Sequence, residues 1–122
     1  MLFEILKKLA EKDVPIYGGS AGAIILARTI IPAISADENT VGLTDFSALN
    51  LVQEYDVWCH YAEQENSTIK NYVEKYDLSK IIALPEDAGI IVTEDTIETV
   101  GPSDIRVFEN SSIKVIKPGQ NI

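Results

Sequence analysis

Tyr17-Gly18-Gly19-Ser20-Ala21-Gly22-Ala23 is the stretch on which the reading of this chain turns. It lies between a short apolar run, Val14-Pro15-Ile16-Tyr17, and a helix-like run, Ala23-Ile24-Ile25-Leu26-Ala27-Arg28. Gly18, Ser20 and Gly22 spell G-x-S-x-G where a strand is expected to run straight into a helix. In that turn the serine sits in a strained conformation, with its hydroxyl above the C-terminal edge of a sheet. Glycine is expected on both sides because a Cβ at either position would collide with the neighbouring strand or helix. The helix N-terminus behind the serine offers free N–H groups and the positive end of a dipole to a developing oxyanion. The same residues also suit a tight packing turn or a weak phosphate-binding loop, so the rest of the chain has to choose.

Upstream, Leu2, Ile5, Leu6 and Leu9 recur at helical spacing, with Glu4, Lys7, Lys8, Glu11 and Lys12 on the other face. An amphipathic helix ending near Asp13 is expected, then a buried strand over Val14 to Tyr17 and a helix from Ala21 to Ile31 stopped by Pro32. Downstream, Ala33 to Asn50 lacks periodicity and reads as loop with one short strand or turn. Tyr55 to Tyr61 is rich in aromatic and β-branched residues and reads as a strand with His60 at its C-terminal end. Ile69, Tyr72, Val73 and Tyr76 predict a helix over Ser67 to Tyr76, capped by Asn66 or Ser67. Lys80 to Leu84 is a buried strand ended by Pro85. Short strands at 90–93, 96–100, 105–108 and 113–116, separated by turn-formers, predict an antiparallel β-meander leaning on the α/β part.

A chain of 122 residues, 46% hydrophobic, suits a single domain spanning 1–122. The net charge of −9, with no stripe of Lys or Arg, argues against a nucleic-acid or anionic-membrane partner. One cysteine and one histidine exclude an intrachain disulfide and any multi-Cys or multi-His metal cluster, and no cofactor is expected. The N-terminus lacks a signal-peptide core and no apolar run reaches membrane-spanning length, which points to the cytoplasm.

A serine nucleophile needs a base within hydrogen-bond reach and an acid to orient that base. His60 is the single candidate base. Asp37 and Glu38 lie between Ser20 and His60 in a non-periodic loop, although a pair of adjacent loop acids is usually solvated. Cys59 competes as nucleophile, but its place inside a predicted strand, on the face opposite His60, fits a buried core thiol better.

Gly-Gly-Ser-Ala-Gly-Ala at 18–23, Phe46-Ser47-Ala48-Leu49-Asn50-Leu51, His60-Tyr61 and Leu84-Pro85-Glu86 together resemble the successive landmarks of the peptidase E (aspartyl dipeptidase) and cyanophycinase family. The resemblance implies serine peptidases on a class I glutamine-amidotransferase-like (flavodoxin-like) α/β sheet. It makes Ser20 the nucleophile and His60 the base. Its acid falls on Asp37, with Glu38 as the alternative, and the Ala21 N–H is one oxyanion donor. Glu86 matches a landmark without an implied role and is read as a turn or structural carboxylate. The substrate it implies is a small peptide.

Two departures qualify what is carried over. The stretch Asn66-Ser67-Thr68-Ile69-Lys70-Asn71 holds no arginine to clamp a substrate carboxylate, and Lys70 is a poor substitute, so aspartyl specificity is not expected. Members of the family are longer, with an N-terminal half that supplies several parallel strands and a glycine-rich loop carrying the second oxyanion donor. Against them this chain is expected to be a sheet truncated at its N-terminus. Losing one oxyanion donor costs on the order of 10²–10³ in rate, and an unpaired sheet edge calls for a second copy or a partner to cover it. The competing expectation is a non-catalytic relic of the same fold acting as a subunit or interaction module. A class I amidotransferase is disfavoured because the elbow holds serine where cysteine is needed.

Overall fold

The computed structural model describes all 122 residues. A four-stranded mixed sheet forms its centre, in the order β1 (Asp56–Trp58), β2 (Lys80–Ala83), β5 (Ile105–Glu109), β6 (Ser112–Ile116). β1 and β2 are parallel, and β5 and β6 continue antiparallel. β3 (Gly89–Val92) and β4 (Ile97–Val100) form a separate antiparallel hairpin. The expected continuous meander is therefore split. β5 returns to pair with β2, while β3 and β4 leave the sheet and pack on one of its faces.

Alternation along the strands builds two cores, one on each face. Val57, Ile82, Ile105 and Val107 point to one side, where Ala27, Val52, Leu84 and Ile97 complete a buried cluster. Trp58, Ile81, Ala83 and Phe108 point to the other, against Ile31, Tyr61, Ile69 and Leu78. The helix α3 (Asn66–Tyr76) covers this second face, burying Ile69 and stacking Tyr72 edge-on to Trp58 at 5.4 Å between ring centroids. Its cap differs from expectation. A 3₁₀ turn, Glu63–Glu65, leads into it, and the Glu65 carboxylate accepts the Ala62 N–H at 3.0 Å. Asp77 ends the helix in the left-handed region at φ 53°.

The region around Ser20 departs most from the expected elements. α1 (Leu2–Glu11) forms as predicted but has no buried residue, and its apolar stripe of Leu2, Ile5 and Leu9 is open. Val14 to Tyr17 has no regular secondary structure and pairs with no strand, and Tyr17 is 94% exposed. The apolar pattern is that of a buried strand, but this chain places no strand beside it. α2 is also shorter than expected, Ala21–Leu26. Pro32 does not stop it. Instead Pro32 sits at the start of a 3₁₀ helix, Ile31–Ser35, where a proline leaves no hydrogen bond unmade. No helix is long and apolar enough to cross a membrane.

Candidate active site

Parallel β1 and β2 carry the two halves of the site at their C-terminal ends. Their ladder runs on past the strands: the Leu84 N–H donates to the Trp58 carbonyl at 2.8 Å and the Tyr61 N–H to the Leu84 carbonyl at 2.9 Å. His60 therefore stands beside the chain that leads through Pro85 to Glu86. The His60 backbone has φ 56°, a left-handed turn that ends the strand abruptly.

Ser20 is the N-cap residue of α2, at φ 52° and ψ −119°, a region that a non-glycine residue occupies only under strain. A serine at this position ordinarily caps its helix with its hydroxyl. Here it makes no such bond, and its Oγ lies 2.9 Å from His60 Nε2. The other ring nitrogen, Nδ1, lies 3.3 Å from Glu86 Oε1. A carboxylate can only accept, so this contact selects the tautomer with its proton on Nδ1, leaving Nε2 to accept the serine hydroxyl. The Ala21 N–H makes no hydrogen bond within the chain, so a donor beside the Ser20 hydroxyl is free.

The two glycines of the turn are not equivalent. A Cβ on Gly18 would overlap the Gly22 carbonyl oxygen and lie 2.9 Å from Leu26 Cδ1, so α2 can approach only because residue 18 has no side chain. A Cβ on Gly22 would meet nothing within 4 Å, which corrects the expectation of a collision on both sides.

Asp37 and Glu38 are not beside His60. They follow the 3₁₀ helix and border a shallow depression with Ile30, Ile34 and Phe46, and neither carboxylate has a hydrogen-bond or ion-pair partner. The carboxylate on the imidazole is Glu86, rather than the turn or structural carboxylate expected after Pro85. Its signal was available: an acid directly after the proline that ends a strand parallel to the one bearing His60. What was missing was the pairing of those two strands.

Changing Glu86 to Gln is expected to slow acylation or phosphonylation of Ser20 by about 10–10²-fold, while Asp37→Asn and Glu38→Gln leave the rate within about twofold. A buried orienting acid contributes about 10⁴. Glu86 is 83% exposed and its contact is long, so water screens it and the smaller figure applies. Reaction rates of the three variants with one activated serine reagent decide the point.

Cys59 lies just past β1 on the face opposite Trp58, and its thiol donates to the Ser20 carbonyl at 3.4 Å. Burial pushes this thiol's pKa upward. Less thiolate is then present at any given pH, so alkylation by iodoacetamide is expected to be slower than that of a free cysteine and to rise only at higher pH. A rate at mildly alkaline pH equal to that of free cysteine would contradict this.

The chain belongs to peptidase family S51, whose family model matches residues 1–100. Its fold is similar to that of a peptidase from an acI-B1 Actinobacterium, at 16% identity and a TM-score of 0.56, over 84% of this chain and 43% of that one. A putative peptidase E protein from Listeria monocytogenes EGD-e is also similar, at 21% identity and a TM-score of 0.45, over 94% of this chain and 55% of that one. The chain thus spans about half the length of these solved structures. No curated protein matches it.

Proposed function

We propose that the chain carries a serine-peptidase site acting on small peptides through an acyl-enzyme. The observation that carries this reading is the Ser20 hydroxyl, left unused as a helix cap and placed 2.9 Å from the imidazole of the single histidine. Membership of peptidase family S51 supports it. In this reading Ser20 Oγ attacks the scissile carbonyl carbon while His60 Nε2 takes the hydroxyl proton. Glu86 accepts from Nδ1–H, holds the ring in its productive tautomer and stabilises the imidazolium that forms. The negative charge that develops on the carbonyl oxygen is met by the Ala21 N–H. The tetrahedral intermediate then collapses, the C–N bond breaks, and the leaving amine takes the proton from Nε2. Water attacks the acyl-serine by the same route in reverse.

A fluorophosphonate probe tests the proposal. The expected result is one adduct, mapped by peptide mass spectrometry to Ser20 and lost in Ser20→Ala. Folded protein that takes up no label would count heavily against it.

One observation favours a second reading, in which the chain is a non-catalytic subunit of a larger assembly. α1 buries none of its residues, and the backbone of 15–18 is unpaired on both sides. Apolar surface of this kind is normally covered. The cover here would be a partner chain or a second copy. Light scattering on the purified protein separates the readings: an inert obligate dimer supports the second, and a monomer that cleaves peptides excludes it.

A further inference from the structure

Asp56 has no exposed surface and no part in the chemistry above. Its carboxylate accepts the Thr29 N–H at 2.8 Å, the Thr29 hydroxyl at 2.6 Å and Arg28 NH2 at 3.2 Å. A carboxylate removed from water is costly unless such donors surround it. Arg28 and Thr29 lie just past the end of α2, whose N-cap is Ser20, and Asp56 opens β1, which leads to His60. The Arg28 N–H also donates to the Tyr55 carbonyl at 3.0 Å, so backbone and side chains join the two elements at one place.

From this arrangement we infer that Asp56 is a positioning residue for the Ser20–His60 pair. The inference rests on the reading of Ser20 as the nucleophile. Two short arms leave the anchor at Asp56. One is α2, about 9 Å of helix. The other runs from Asp56 to His60, about 13 Å of extended chain. They meet again where Ser20 Oγ faces His60 Nε2, with the Cys59 thiol on the Ser20 carbonyl as a second, weaker tie. Within α2 only Ile24 is fully buried, and its C-terminal end is the more firmly tied, because the Ile25, Leu26 and Ala27 carbonyls accept the Leu49, Leu51 and Asn50 N–H groups. The anchor at the end opposite the serine therefore acts together with the close Gly18–Gly22 approach in setting where the serine stands. The guanidinium Nε of Arg28 is buried without a partner, so the directed bonds at this anchor come chiefly from Thr29. A displacement of about 1 Å between reacting groups costs on the order of 10²-fold in rate.

The test uses the single histidine, whose ring resonances are unambiguous in an NMR spectrum of the whole chain. Asp56→Ala and, more mildly, Thr29→Ala are expected to move the His60 Nε2 resonance in the same direction as Ser20→Ala. Both should slow fluorophosphonate labelling, by about 10²-fold and about tenfold. Asp56→Asn, which keeps an acceptor for Thr29, is expected to restore the resonance and most of the rate. A folded Asp56→Ala protein with the wild-type His60 resonance and a labelling rate within twofold overturns the inference. Should Asp56→Ala fail to fold, Thr29→Ala decides by the same criteria. If wild-type protein takes up no label, the nucleophile reading fails. The resonances still show by themselves whether Asp56 sets the serine–histidine contact.

Discussion

Replacing His60 with Gln is expected to slow fluorophosphonate labelling of Ser20 by about 10³-fold or more near neutral pH. A serine hydroxyl is almost wholly protonated there, so its nucleophilicity depends on a base that removes the proton as the bond forms. The structure offers Ser20 one such group, His60 Nε2 at 2.9 Å. With one histidine in the chain, no second imidazole can substitute. Removing the base from an enclosed triad costs up to about 10⁶. The His60 side chain is 60% exposed, so water can serve as a poor replacement base and the lower figure is the expectation. The time course of adduct formation, followed by intact mass, measures it directly. A rate unchanged in His60→Gln would show that Ser20 reacts without its neighbour.

The second large effect falls on stability and separates the two glycines of the same motif. Gly18→Ala is expected to lower unfolding free energy by about 3 kcal/mol. Its Cβ would lie 2.6 Å from the Gly22 carbonyl carbon, and a backbone atom cannot swing aside as a side chain can. Relief requires α2 to move away from the turn, which also carries Ser20 away from His60, so labelling should fall along with stability. Gly22→Ala is expected to do the opposite, gaining up to about 1 kcal/mol. Residue 22 lies in the first turn of α2 with open space before it, so a methyl group there restricts the unfolded chain and meets nothing in the folded one. Urea unfolding of both variants settles the contrast. Equal changes at the two positions would contradict the packing described here.

How much was legible in the sequence differed by element. β2, β5, β6 and α3 lie within a residue of their predicted limits, because alternation and the 3.6-residue repeat are local signals that tertiary packing then used; β1 begins where expected but ends at Trp58, three residues before Tyr61, because His60 turns into the left-handed region. The end of α2 differs from its expected place because a proline marks both the end of one helix and the first turn of another. Only the packing of Ile31 and Pro32 into a tight 3₁₀ turn distinguishes these. The expected strand over 14–17 does not form for a different reason: an apolar run states a preference for burial, whereas a strand exists only when a neighbour supplies hydrogen-bond partners.

The site divides along the same line. The sequence by itself determined that Ser20 occupies a glycine-flanked turn before a helix and that His60 follows a strand. Both statements rest on residues adjacent in the chain. Which acid stands on the imidazole was decided by the tertiary structure alone. Asp37 and Glu38 lie between Ser20 and His60 in sequence, but they end on the depression bordered by Ile30 and Phe46. Glu86 is 26 residues beyond His60 and reaches it because β1 and β2 run parallel and end together. The order of residues along the chain constrains which of them can meet only through the pairing of strands. That pairing is fixed by the burial of Val57, Trp58, Ile81 and Ile82 on the two faces of the sheet.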